Sequence, residues 1–258
     1  MSEVFIIIST CVTENMYIEY SKAIQHNLMF ISDNRPKINK PNIYNYTNNA
    51  LLIQSGFTGL HSKHKITAWD KAFYHIKQLQ DQGMTYTNYW IIEDDCYINH
   101  NEFQKFVDTY QSNVVDLLCF GWKHPFITHK SWVHWNKRFL SGQPGGETYF
   151  QEADTCSTIN QMIRISNNCV NEIFKFKEKY NRFIFHELFL MSIANAMMLT
   201  SQVINIETVH LAALKSSSLL YNKYPNQPPN HIISELERLR YVALHPFKRW
   251  YNHIGISM

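Results

Sequence analysis

The chain has 258 residues, 45% apolar and 14% aromatic, with a formal net charge of +3. That is enough side-chain volume for one α/β domain over 1–258, and the scattered basic residues exclude a nucleic-acid footprint. Cys11, Cys96, Cys119, Cys156 and Cys169 form no C-x-x-C pair and sit mostly in apolar runs, the pattern of reduced core thiols in a cytoplasmic protein. Met1 to Val12 carries an acid and no base before its apolar run, unlike a signal peptide. The run from Leu188 to Leu199 is too short to span a bilayer and contains Asn195, so no transmembrane segment is expected.

In chain order, Val4 to Ile8 is a short β-branched run ending in Ser9 and Thr10, as a buried parallel strand would. A helix around Tyr17 to Gln25 leads to a second strand, Asn27 to Ile31, stopped by Ser32, Asp33 and Pro36. Pro36 to Asn49 should be loop and Ala50 to Gln54 a third short strand, with a turn at Gly56 and Gly59. Thr67 caps a helix over Ala68 to Gln80 in which Trp69, Phe73, Ile76 and Leu79 recur at helical spacing, and Gly83 closes it. Tyr89 to Ile92 is the next buried strand, followed by a helix around Asn101 to Tyr110 and a strand from Val114 to Gly121. Trp122 to Gly146 is aromatic, basic and Gly-rich, a surface excursion suited to binding. A strand over Ile159 to Ile165, helices over Val170 to Lys177 and His186 to Leu199, a strand over Val203 to Ile206 and a helix over Ile232 to Tyr241 complete the chain. The fold class expected is α/β, a mostly parallel central sheet flanked by helices.

The strand Tyr89 to Ile92 runs straight into Glu93, Asp94 and Asp95. Three adjacent acids repel, so their placement costs free energy unless a cation or a row of donors compensates. In an open α/β sheet, ligands bind beyond the carboxyl ends of the strands. Hard oxygen donors there suit Mg²⁺ or Mn²⁺, which take one or two protein carboxylates and fill their remaining positions with diphosphate oxygens and water. A solvated turn whose acids cap the following helix is the plainer alternative.

Trp90 to Ile98, read as Trp-Ile-Ile-Glu-Asp-Asp-Cys-Tyr-Ile, resembles the D-x-D region of GT-A-fold glycosyltransferases, in which an apolar strand ends in an acidic triplet. Weaker likeness extends through Val115 to Gly121, Ile159 to Ile173 and Phe185 to Phe189. The first acid is Glu rather than Asp, a departure from the pattern. The resemblance implies a Rossmann-related GT-A-like domain with a nucleotide-sugar half near 1–100 and an acceptor half near 101–258. It implies that Asp95 binds the metal, that Glu93 meets the ribose or a metal-bound water, and that Asp94 meets the sugar or the sheet edge. Asp33 falls where such enzymes hold the nucleoside, although a turn cap is an equal reading. Glu187 matches the acid that removes the acceptor proton in inverting transfer, with Asp154 as understudy, and helix capping is its alternative. His245, in Leu244-His245-Pro246, resembles the C-terminal histidine that completes the metal shell, with His210 as competitor.

By position alone, Thr10 lines the nucleotide pocket. Lys71, near a helix start, could bring charge to a diphosphate, or lie on a solvated face. Arg164, a charge in an apolar run, needs a partner and could find it among the crevice acids. Trp132, Trp135 and Arg138 could form a platform for a glycan, or a satellite cluster. The function expected is metal-dependent, inverting transfer from a nucleotide-diphosphate sugar, a UDP-sugar first, to a glycan or other hydroxyl acceptor. Its rivals are a nucleotidyltransferase of related fold, against which the absence of glycine from Ser9 to Tyr17 counts, and a non-catalytic nucleotide-sugar-binding module.

Overall fold

A computed structural model describes residues 2–61, 65–120, 124–125, 127, 149–158, 160–204 and 243–244. Its elements are β1 (Glu3–Ser9), α1 (Glu14–Ala23), β2 (Leu28–Ser32), β3 (Ile43–Asn45), α2 (Asn49–Gln54), α3 (Ala68–Asp81), β4 (Asn88–Glu93), β5 (Tyr97–Ile98), α4 (His100–Gln111) and β6 (Leu117–Phe120). They continue with β7 (His124–Pro125), β8 (Cys156–Ser157), β9 (Met162–Ser166), α5 (Asn167–Tyr180), α6 (His186–Ala196), β10 (Ser201–Ile204) and β11 (Ala243–Leu244).

Seven strands form one sheet in the order β10-β6-β9-β4-β1-β2-β3, parallel except for β9, which runs antiparallel to β4 and β6. The apolar run of β1 is continuous because both faces are covered. Val4, Ile6 and Ile8 pack with residues of α3, α5 and α6, while Phe5 and Ile7 pack with residues of α1 and α4. The chain leaves β1 outward through β2 and β3, then returns to β4 on the other side of β1. That reversal opens a crevice at the carboxyl ends of β1 and β4, the topological switch point where open α/β sheets bind ligands.

Two elements depart from the expected order. Ala50 to Gln54 belongs to helix α2, because Asn48 caps it by accepting from the Leu51 amide at 3.1 Å. The third strand is instead Ile43–Asn45, inside the segment expected to be loop. Asn45 locks it to the sheet by donating to the Ser32 and Asn34 carbonyls at 2.7 and 2.9 Å. Three residues, Ile-Tyr-Asn, inside an Asn-rich segment are too few to show an apolar period, so composition hides the strand.

Arg164 serves the opposite end of the sheet from the crevice. It is fully buried, donating to the carbonyls of Tyr110, Asn113 and Val115 at 2.6, 2.8 and 3.4 Å, with the Glu3 carboxylate 3.8 Å away. Glu3 also accepts from Asn88 and from the Trp90 indole. Arg164 therefore satisfies the carbonyls at the end of α4 and pairs with Glu3; the expected pairing with a crevice acid is not the one formed. Arg164→Met leaves Glu3 buried beside unpaired carbonyls and should destabilise by about 3–5 kcal/mol. Thermal melts should show a drop of roughly 10 °C, partly recovered in Arg164→Met/Glu3→Gln.

Candidate active site

The acid triplet follows β4 because β4 is held in register beside β1, with Ile8 opposite Glu93, and because the Asp94 amide donates to the Ile8 carbonyl at 3.0 Å. A tight turn then reverses the chain, the Cys96 amide donating to the Glu93 carbonyl at 3.0 Å. Tyr20, buried on α1, clamps both ends of this turn by donating to the carbonyls of Cys96 and Glu93 at 2.7 and 3.1 Å. The carboxylates leave this turn toward different partners. The Trp69 indole N–H donates to Glu93 Oε1 at 2.8 Å and the Ser9 hydroxyl to Asp94 Oδ2 at 2.6 Å, while Asp95 is 4% exposed. Donors from two neighbouring elements thus offset part of the repulsion among the three acids.

The triplet forms one wall of a cleft of about 440 Å³, shared with Ser9 and Thr10 after β1, Asp33 after β2, His61, Thr67 and Trp69 around the start of α3, and Phe185 and His186 at the start of α6. Thr10, Asp33, Glu93, Asp94 and Asp95 are therefore gathered as the sequence led one to expect. Lys71 is used differently. It is 2% exposed, and its ammonium donates to both the carbonyl and Oδ1 of Asp33 at 2.7 Å. Its charge is committed to Asp33 rather than held ready for a diphosphate, and what it fixes is the Asp33 carboxylate in the cleft wall.

The far wall is set by contacts between the chain before α3 and the chain before α6. The Phe183 amide donates to the Thr58 carbonyl at 2.8 Å and the His186 amide to the Leu60 carbonyl at 3.0 Å. Between them Gly59 has φ +112°, and a Cβ there would lie 2.2 Å from the Phe183 oxygen, so only glycine allows the approach. Asp70 completes the brace from α3, accepting from the Leu60 and Thr67 amides at 3.0 and 2.9 Å. Burial pushes its carboxyl up to about 7 despite these donors.

Glu187 is the second residue of α6, next to His186 in the lining but not itself among the lining residues. Burial pushes its carboxyl up to about 7, overriding the helix dipole that favours the ionised form. Asp154 lies in the turn before β8, away from the lining, its carbonyl accepting from the Asn195 amide group at 3.0 Å. His245 and His210 lie outside the described residues, as do Trp132, Trp135 and Arg138. Leu244 pairs with Tyr97, two residues beyond Asp95.

Among the described residues, no group of three or more His, Cys, Asp or Glu side chains is placed to hold a metal ion. The donor chemistry nevertheless fits a hard divalent cation, since Asp95 and its neighbours offer carboxylate oxygens to an ion that needs only one or two from the protein. Trp69 stands at helical spacing with Phe73 and Ile76, as a core residue would, and His61 carries no sequence signal; both line the cleft, and only the approach of separate elements shows it.

No family model matches the chain, and no curated protein matches it. Solved structures similar to it include a glycosyltransferase involved in glycosylation of the major capsid of PBCV-1, at 10% identity over 80% of this chain and 83% of that one, TM-score 0.38. The galactosyltransferase LgtC in complex with donor and acceptor sugar analogs is similar at 11% identity over 79% of this chain and 73% of its own, TM-score 0.38. A third is 4-diphosphocytidyl-2C-methyl-D-erythritol synthase, at 9% identity over 73% and 92%, TM-score 0.34. Among the described residues, no helix is long and apolar enough to cross a membrane.

The raised pKa of Glu187 gives a stability signature. The unfolded carboxyl loses its proton near the ordinary glutamate value and the folded one near about 7, so between these values the folded state binds more protons and stability falls as pH rises. Glu187→Gln removes this loss. Its stability should match that of the wild type at pH 4.5 and exceed it at pH 8 by an amount on the order of 1–3 kcal/mol, read as a higher melting temperature at pH 8 only. A pH-independent difference in paired thermal melts contradicts the assignment.

Proposed function

We propose that the chain is a metal-dependent glycosyltransferase that takes a nucleotide-diphosphate sugar, a UDP-sugar first, and transfers the sugar with inversion to a glycan or other hydroxyl acceptor. One observation carries the proposal: Glu93, Asp94 and Asp95 stand at the switch point of the sheet, in the wall of a cleft that also holds Asp33. A diphosphate is anionic and approaches four carboxylates only through a cation, so an acidic wall of hard donors favours a metal-bridged diphosphate over an anion bound directly by protein. The resemblance of residues 90–98 to the D-x-D region supports the same reading.

In this mechanism Asp33, fixed by Lys71, receives the nucleoside and Asp95 holds the cation. His245 is the proposed second protein ligand, on the grounds of the resemblance and of the pairing of its neighbour Leu244 with Tyr97. A bound Mn²⁺ or Mg²⁺ supplies neutralisation of the leaving diphosphate. Glu93 and Asp94, steadied by Trp69 and Ser9, meet the ribose and the sugar. Glu187, with its pKa near neutrality, removes the acceptor hydroxyl proton as the new C–O bond forms and the bond to the diphosphate breaks. A nucleotidyltransferase would need a phosphate-cradling loop after β1, whereas Ser9 to Tyr17 contains no glycine and passes into α1 capped by Thr13.

Glu187→Gln should bind donor and Mn²⁺ as the wild type does while losing transfer by ~10²–10⁴-fold, the range for a lost acid–base group. Normal turnover in this variant removes Glu187 from the mechanism. Donor binding without transfer or hydrolysis in the wild type makes the chain a binding module, and a product that retains the donor's anomeric configuration contradicts a single opposite-face base.

A further inference from the structure

The Trp69 indole does two things at once. Its N–H donates to Glu93 Oε1 at 2.8 Å, and its ring lies parallel to the His186 imidazole, centroids 4.4 Å apart and planes 15° apart. Both residues are buried, at 5% and 7% exposure, and both line the cleft. The same turn of α3 grips His186 a second time through the backbone, because Asp70 accepts from the Leu60 amide and the Leu60 carbonyl accepts from the His186 amide. The start of α6 is therefore joined to the first acid of the triplet through one aromatic pair, braced from below by a buried carboxylate.

Glu93 has reason to need such a hold. Its side chain carries three rotatable bonds and neighbours two further acids, and repulsion alone would turn it away from them. An indole donor is uncharged, so it orients the carboxylate without neutralising the charge as a lysine would. The stack on His186 fixes the ring plane, and with it the direction in which the N–H points.

We infer that Trp69 is the positioning residue of the triplet: it aims Glu93 at the nucleotide sugar, and its stack on His186 ties that aim to the start of α6, where the acceptor-side base Glu187 sits. This rests on the glycosyltransferase reading of the same cleft. The geometry makes donor binding depend on a residue outside the acidic turn, and couples Trp69 to His186 energetically.

The test uses calorimetry of UDP with Mn²⁺ and the indole ¹⁵N–¹H signals of the whole chain. The sequence has six tryptophans, and the signal missing from Trp69→Phe is that of Trp69. Trp69→Phe keeps a stacking ring but no donor, and should weaken UDP–Mn²⁺ binding about tenfold, or about 1.4 kcal/mol, raising the donor KM more than it lowers kcat. His186→Ala should weaken binding several-fold, His186→Phe should restore most of that loss, and His186→Ala should add little in the Trp69→Phe background. Both Glu93→Gln and His186→Ala should move the Trp69 indole signal. Wild-type UDP–Mn²⁺ affinity in Trp69→Phe overturns the inference, and so does an indole signal indifferent to Glu93→Gln. If the wild type binds no UDP with Mn²⁺, the donor assignment fails by itself, and the indole signal still decides whether Trp69 holds Glu93.

Discussion

Three carboxylates in sequence at the end of a buried strand are an electrostatic problem, and the structure around β4 is arranged to contain it. Glu93, Asp94 and Asp95 would repel one another out of a compact turn unless the backbone were held and the charges directed apart. The backbone is held by β1 through the Asp94 amide and by the Tyr20 hydroxyl across the turn. The charges are directed apart by the Trp69 indole and the Ser9 hydroxyl. A turn that needed only to be solvated would require none of this, whereas a site that binds a cation and a diphosphate requires the carboxylates in place beforehand, because reorganisation at the moment of reaction adds to the barrier.

The rest of the cleft is built to the same rule of fixing polar groups in pairs. Lys71 fixes Asp33 from beneath, and Asp70 fixes the segment that carries His186. Both are buried charges or potential charges on the first turn of α3, so one helix start organises the Asp33 side of the cleft, the acid triplet and the far wall. Arg164 solves a different problem at the other end of the sheet, closing the carbonyls after α4. A buried arginine in an apolar strand marks a site that must be satisfied, and the partner can be backbone as readily as substrate.

Much of the sheet was legible because buried parallel strands write themselves as short apolar runs: β1, β2, β4 and β6 all do. The triplet was legible because three adjacent acids directly after a buried strand repel one another, whether they cap the next helix or meet a cation. The edge strand Ile43–Asn45 was not, since three residues are too few to show alternation, although Ile43 and Tyr44 pack on the two core clusters and Asn45 ties the strand to the Ser32 and Asn34 carbonyls. Lys71 and Arg164 were read as charges in search of a ligand because sequence shows a charge and not its partner. Trp69 was hidden for the converse reason: an aromatic at helical spacing is core by default, and its role at Glu93 exists only once α3, β4 and α6 meet.

Acids at the switch point that hold a metal-bridged nucleotide diphosphate, as proposed, should reveal themselves in a melting-temperature panel of nucleotide sugars with and without Mn²⁺, on the wild type and Asp95→Asn. A donor at about 100 times its Kd stabilises by roughly 2.7 kcal/mol. The wild type should therefore rise by several degrees with a UDP-sugar and Mn²⁺ together and by much less with either alone, while Asp95→Asn, folded and melting near the wild-type temperature, should show no joint rise. An equal rise without Mn²⁺, or in Asp95→Asn, contradicts the account.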